Sequence, residues 1–226
     1  MATTVQHGAM AYTEPPTDLD EVRRYRLGRV REQLTLQDYA GILVFDQLNT
    51  RYTTDATNMQ IWCSHMETRC ALIMADGPVV LYDYANHPFL AAGLPTVDEY
   101  RVLPSYNFFA AGSRSAEWAQ RFGEEIAGVF HQHAGGNNRL AIDRLSHQGT
   151  DALRAQGIEL FDGQAVMETA RSVKSAGELV LMREAIRVCQ LGMDAMHKVL
   201  QPGITENALW SELHRTNIEN GGEWIE

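Results

Sequence analysis

Seven consecutive residues, Tyr39 to Phe45, are apolar or glycine and show no polar face at either the helical or the strand period. The run is far short of the ~20 residues a membrane helix needs, and its β-branched and aromatic content makes it a buried strand. Two further strand-like runs, Cys70 to Met74 and Val79 to Tyr84, flank Asp76 and Gly77, a good hairpin signal. Beyond them, Arg139 to Asp143 reads as a strand, Thr150 to Gln156 as a helix closed by Gly157, and Ile158 to Phe161 as another strand. Strand, helix and strand with short connections point to an α/β layer. Asp20 to Gln33 has roughly helical spacing at Val22, Tyr25, Leu27 and Val30. Ser115 to His133 is an amphipathic helix with Trp118, Ala119, Phe122, Ile126, Val129 and Phe130 on one stripe, stopped at Gly135 and Gly136.

From Gln164 the texture becomes nearly all helix. Ser175 and Glu178 have capping-box spacing at the start of a long helix to Leu200, which Gln201, Pro202 and Gly203 end. Thr205 caps a second helix through Leu209, Trp210 and Leu213 to Asn220, ended by Gly221 and Gly222; residues 223–226 then look like the start of a strand. The organisation expected is a leader over 1–19, an α/β domain over 20–165 and the opening of a second domain over 166–226. The helical part cannot easily close a core of its own. Trp210, Trp224, Leu209 and Leu213 are therefore expected to lie against structure that this sequence does not contain.

The net charge of −10 argues against nucleic acid or an anionic membrane surface as partner. The first 17 residues lack the basic and apolar regions of a secretory signal and include Pro15 and Pro16, so they read as a flexible leader on a soluble, cytoplasmic protein. Three cysteines, an odd and small number, fit a reducing compartment rather than a disulfide framework.

No nucleophile elbow, phosphate-binding loop, His-Glu-x-x-His or dinucleotide fingerprint occurs. Cys63, His65 and Cys70 are soft ligands close in sequence, but structural zinc takes four ligands with Cys-x-x-Cys spacing, so they read as two packed thiols and a surface or pocket histidine. His131 and His133 are splayed ~200° apart on a helix and suit its C-terminal carbonyls better than shared chelation. Residues 49–62 are dense in Asn and Thr and lack periodicity, which suits a loop or short strand lining a cleft, or a polar connection satisfying its own turns.

Three ordered motifs carry a resemblance. Tyr39 to Phe45 followed by Asn49, Arg51, Tyr52 and Thr54 resembles the N-terminal domain of the creatinase, prolidase and aminopeptidase P family. Arg171, Lys174, Glu178 and Arg183 resemble the passage into that family's pita-bread catalytic domain, and Pro202, Gly203, Thr205 and Glu206 the turn into its second helix. Residues 57–62 and 221–226 are similar to a bacterial subgroup that includes dimethylsulfoniopropionate lyases and uncharacterised Xaa-Pro peptidase homologues. The resemblance implies a creatinase-type α/β domain followed by the first helices of an incomplete pita-bread α+β domain. It also implies a homodimer in which this domain partly covers the partner's cleft. The family's two divalent metal ions are held by two Asp, one His and two Glu on strands expected beyond Glu226, so no catalytic residue, metal ligand or cofactor is assigned within this chain. The function expected is that of the N-terminal portion of a metal-dependent Xaa-Pro peptidase-like hydrolase taking a small peptide. The alternatives are the same portion of a lyase taking zwitterionic dimethylsulfoniopropionate, or a non-catalytic dimerisation and substrate-gating module. Asn58, Trp62 and His65 are the candidates for the rim of the substrate cleft, because polar loops on a rigid scaffold carry binding.

Overall fold

The computed structural model describes residues 17–223, with the side chain of Gln60 excepted. The leader up to Pro16 and the strand start at Trp224 to Glu226 lie outside the described residues. In chain order the elements are α1 (Leu19–Leu36), β1 (Gly41–Val44), α2 (Gln47–Thr54), α3 (Gln60–His65), β2 (Cys70–Met74), β3 (Val79–Asp83), β4 (Glu99–Val102), α4 (Phe108–Ala111), α5 (Ser115–His133), β5 (Arg139–Ile142), α6 (His147–Arg154), β6 (Glu159–Asp162), α7 (Gln164–Ser172), α8 (Ala176–Val199) and α9 (Glu206–Glu219). Single 3-10 turns occupy Pro88–Leu90 and Gly112–Arg114. They form two compact units, one spanning Leu19–Lys174 and one containing α8 and α9.

In the first unit six strands form one sheet in the order β4-β3-β2-β1-β5-β6. The β1–β2 and β2–β3 pairs are antiparallel, and the other three are parallel. Successive β1 side chains point to opposite faces, as a pleated strand requires. Leu43 joins Leu72, Val80 and Leu140 under Phe122, Ile126 and Phe130 of α5 and Leu153 of α6. Ile42 and Val44 join Ile73, Leu81 and Ala141 against Val30 and Leu34 of α1 and Val166, Met167 and Ala170 of α7. Helices thus cover both faces, and each fully buried aliphatic residue contributes ~1.5–3 kcal/mol relative to an exposed one. The expected α/β layer is present, and the β2–β3 hairpin turns at Gly77, whose φ of 148° suits glycine. The α5–α6 contact depends on Gly123, where an added Cβ would lie 2.6 Å from the Ala152 carbonyl oxygen.

The structure corrects several local expectations. Residues 49–62 are neither loop nor strand over most of their length, since α2 and α3 occupy their two ends. The Asp46 carboxylate caps α2 by accepting from the N–H groups of Leu48 and Asn49, and the Thr50, Thr53 and Thr54 hydroxyls bond back to carbonyls three or four residues earlier. The polar side chains that look loop-like are therefore satisfied within a helical turn. The helix expected from Thr150 begins at His147, because Ser146 accepts from the Gly149 N–H as its N-cap. No sequence pattern marks strand β4, whose charged residues Glu99 and Arg101 lie at the sheet edge.

In the second unit α8 opens on the expected capping box: Ser175 accepts from the Glu178 N–H, and Glu178 accepts from the Ser175 N–H. Gly203, at φ 90°, lies in the turn before Thr205, which caps α9 through the Ala208 N–H. The two helices meet at Gly192, where an added Cβ would lie 2.6 Å from Leu213 Cδ1. Large apolar side chains remain exposed here, among them Met182, Ile186, Met193 and Trp210, the last at 55%. Leu209 and Leu213 are half-buried.

Candidate functional site

The residues that carry the family resemblance in the first unit form a buried junction. The Asp143 carboxylate, at the end of β5, accepts from the N–H groups of Phe45 (2.8 Å) and Asp46 (3.1 Å) and from Asn49 Nδ2 (3.0 Å). Asn49 Oδ1 in turn accepts from Arg171 Nη1 at 2.8 Å, and Tyr52 donates to the Ala170 carbonyl at 3.2 Å. Burial pushes the Asp143 carboxyl above its ordinary range, and the three donors hold that rise back. Asn49, Tyr52 and Arg171 therefore tie α2 and α7 to the C-terminal end of the sheet, which is a positioning role.

A second polar centre lies at the C-terminal end of β3. Arg69 and Asp83 pair at 2.8 Å between Nε and Oδ2, with side chains 1% and 0% exposed. Arg69 Nη1 donates to Gln47 Oε1 at 3.2 Å, while Nη2 has no hydrogen-bond partner among the described residues and Nε meets Asp83 as an ion pair without hydrogen-bond geometry. Asn58 reaches this pair from the turn between α2 and α3, its Nδ2 donating to Asp83 Oδ1 (2.9 Å) and Oδ2 (3.1 Å) and lying 3.1 Å from His87 Nδ1. Trp62 Nε1 donates to the Tyr84 hydroxyl at 2.6 Å, and its ring meets Phe109 edge-on at 5.1 Å. His87 lies edge-on to Tyr84 on one side and Phe89 on the other, with centroids at 5.3 and 5.9 Å.

Of the three rim candidates the structure thus brings Asn58 and Trp62 to one surface, where Asp83 and Tyr84 are chain neighbours. His65 is exposed in the last turn of α3 and takes no part in these contacts. Sequence reasoning missed His87, Tyr84 and Phe109. No local pattern marks them, although the aromatic density of Tyr82, Tyr84 and Phe89 around His87 could have singled the segment out. Met59, Ile61, Phe89, Phe108 and Phe109 add exposed apolar area, Phe109 at 75%.

Among the described residues no group of three or more His, Cys, Asp or Glu side chains could hold a metal ion. Cys63 and Cys70 are buried free thiols, each raised in pKa mainly by that burial, and Cys70 belongs to the core facing α5. His131 Nε2 lies 3.0 Å from the Gln156 carbonyl in the last turn of α5. No step of chemistry is therefore routed through a metal on these residues. No described helix is long and apolar enough to cross a membrane.

No family model matches the chain. It is 39% identical over 214 residues to the dimethylsulfoniopropionate lyase DddP of Roseovarius nubinhibens, which covers 92% of this chain and 48% of that protein. The protein of the same name from Roseobacter denitrificans is 41% identical over the same shares of both chains. The chain spans about half the length of the curated relatives it matches. In fold it is similar to the prolidase of Thermococcus sibiricus, with a TM-score of 0.64 and 14% identity over 92% of this chain and 52% of that one. In sequence the chain is thus similar to about half the length of two proteins named dimethylsulfoniopropionate lyase, and in fold to about half of a solved prolidase.

Proposed function

We propose that this chain is the N-terminal part of an enzyme that cleaves dimethylsulfoniopropionate to dimethyl sulfide and acrylate. The observation that carries the reading is the 39–41% identity over 92% of the chain to two proteins named as that lyase, against 14% for the prolidase structure. This reverses the order in which the sequence motifs place the hydrolase and the lyase. In the reaction a base takes a proton from the carbon next to the carboxylate, the carbon–sulfur bond breaks with its electron pair going to sulfur, and acrylate remains. Two divalent metal ions, bound by residues of the catalytic domain, would steady the developing negative charge.

The part played by this chain is positional. It belongs to a homodimer in which the surface around Asn58 and Trp62 borders the substrate cleft, Trp62 supplying apolar area that excludes water. The buried Arg69–Asp83 pair anchors Asn58, and the Asp143 junction fixes the end of β1 from which α2 starts. Free thiols at all three cysteines support a cytoplasmic setting. The prolidase-like fold supports a second reading, a metal-dependent Xaa-Pro hydrolase, and either activity accommodates a dimerisation and gating role for this half.

The deciding experiment presents the full-length product of this reading frame with dimethylsulfoniopropionate and, separately, with an X-Pro dipeptide. Dimethyl sulfide release without dipeptide cleavage is expected. Dipeptide cleavage without gas release would overturn the lyase reading in favour of the hydrolase.

A further inference from the structure

We propose that His87 is a carboxylate-binding residue, a neutral Nε2–H donor locked in that tautomer by Asn58. The donor rests on geometry alone; the identity of its ligand rests on the functional reading above. The amide of Asn58 can be oriented in only one way. One edge faces both oxygens of Asp83, which accept and cannot donate, while Oδ1 accepts from the Met59 N–H at 2.8 Å. The atom facing Asp83 and His87 is therefore the amide nitrogen. Its two hydrogens serve the carboxylate on one side and His87 Nδ1 on the other, 3.1 Å away. Nδ1 must then be the unprotonated nitrogen, and the ring proton sits on Nε2.

Nε2 has no hydrogen-bond partner among the described residues. The ring is half-buried, wedged edge-on between Tyr84 and Phe89, and the Tyr84 carbonyl accepts from the His87 N–H at 3.1 Å. Pro88, next in the chain, stiffens the turn that carries it. A donor fixed in this way loses little entropy when it meets an acceptor. The nearest charges do not oppose an anion, because Asp83 is already neutralised by Arg69 at 2.8 Å. A hydrogen bond to a charged acceptor is the stronger kind, so a carboxylate gains most from such a donor. Both functional readings concern a small zwitterion with a carboxylate at one end. In this scheme Asn58 is a positioning residue that acts through His87.

Two readouts test the proposal. In long-range proton–nitrogen NMR spectra of histidine-labelled protein, His87 is expected to carry its proton on Nε2, to become a tautomer mixture in Asn58→Leu, and to shift its Nε2–H signal when acrylate is added. A proton on Nδ1 in the wild type, or no response to acrylate, overturns the proposal whether or not a substrate is turned over. In the full-length enzyme His87→Phe is expected to raise KM about tenfold with kcat retained, His87→Gln recovering part of the loss by offering an amide donor. The effect falls on dimethylsulfoniopropionate if the lyase reading holds and on the X-Pro dipeptide if the hydrolase reading holds. An unchanged KM for whichever substrate is turned over refutes the role of His87 and leaves the functional reading standing. Turnover of neither refutes the functional reading, and the acrylate response alone then decides the carboxylate site.

Discussion

Replacing Arg69 by Met removes one half of the most deeply buried ion pair described here and leaves Asp83 in place at 0% exposure. Breaking such a pair on one side costs ~3–5 kcal/mol, because the remaining charge has lost its counter-ion without regaining water. Asp83 keeps the Tyr84 N–H at 2.8 Å and the Asn58 amide at 2.9 and 3.1 Å, which puts Arg69→Met at the lower end, about 3 kcal/mol. Asp83→Leu is expected to cost more, about 4–5 kcal/mol, since Arg69 then retains only Gln47 at 3.2 Å. The double variant Arg69→Met/Asp83→Leu removes both charges and is charged only with the unsatisfied Asn58 and Tyr84 donors, about 2 kcal/mol. Urea unfolding followed by tryptophan fluorescence measures all three, and the Arg69→Met loss corresponds to a Tm about 10 °C lower. A double variant that loses as much as the two single variants together would show that the pair is not coupled, and the reasoning would be refuted.

Three further outcomes are expected. Gly123→Ala should cost about 1–3 kcal/mol in the same assay, because its Cβ would sit 2.6 Å from the Ala152 carbonyl oxygen and α6 must move; an unchanged midpoint would show that the helices do not meet there. Burial raises the Asp143 carboxyl above its ordinary 3.8, so the folded state holds this proton more tightly than the unfolded chain. Its contribution is therefore fully present below pH 3.8 and is lost as pH rises through the folded value, and the stability advantage of wild type over Asp143→Asn should shrink across that window; an advantage that grows with pH would contradict the assignment. Of the three thiols, exposed Cys189 should react rapidly with a disulfide reagent on the native 226-residue chain, while Cys63 and Cys70 react only on unfolding; three fast thiols would contradict their burial.

The parts of the fold legible in the sequence are those where one local rule decides. Ala40 to Phe45 had to be buried, although the strand itself spans only Gly41–Val44 and Tyr39 stays half-buried; Asp76 and Gly77 had to turn, and Ser175 with Glu178 had to start a helix. Elements held by neighbours were harder to read. Helix α2 contains Asn49 and three threonines, poor helix formers, and exists because Asp46 caps it and the threonine hydroxyls bond within it. Strand β4 is half-exposed and charged, and parallel pairing with β3 alone makes it a strand. The candidate site shows the same division. Asn58 and Trp62 could be singled out as polar and aromatic groups in an aperiodic stretch, but His87 lies 29 residues from Asn58, and only the fold brings them together. His65 follows closely after them in sequence, but the last turn of α3 leaves it exposed and outside their contacts.

The function proposed above has this chain position the substrate while residues outside it hold the metal ions. Elemental analysis of the purified 226-residue chain and of the longest natural product of its reading frame tests it directly. The account predicts stoichiometric divalent metal in the longer protein and none in the shorter chain. Stoichiometric metal in the 226-residue chain would contradict it and return attention to Cys63, His65 and Cys70.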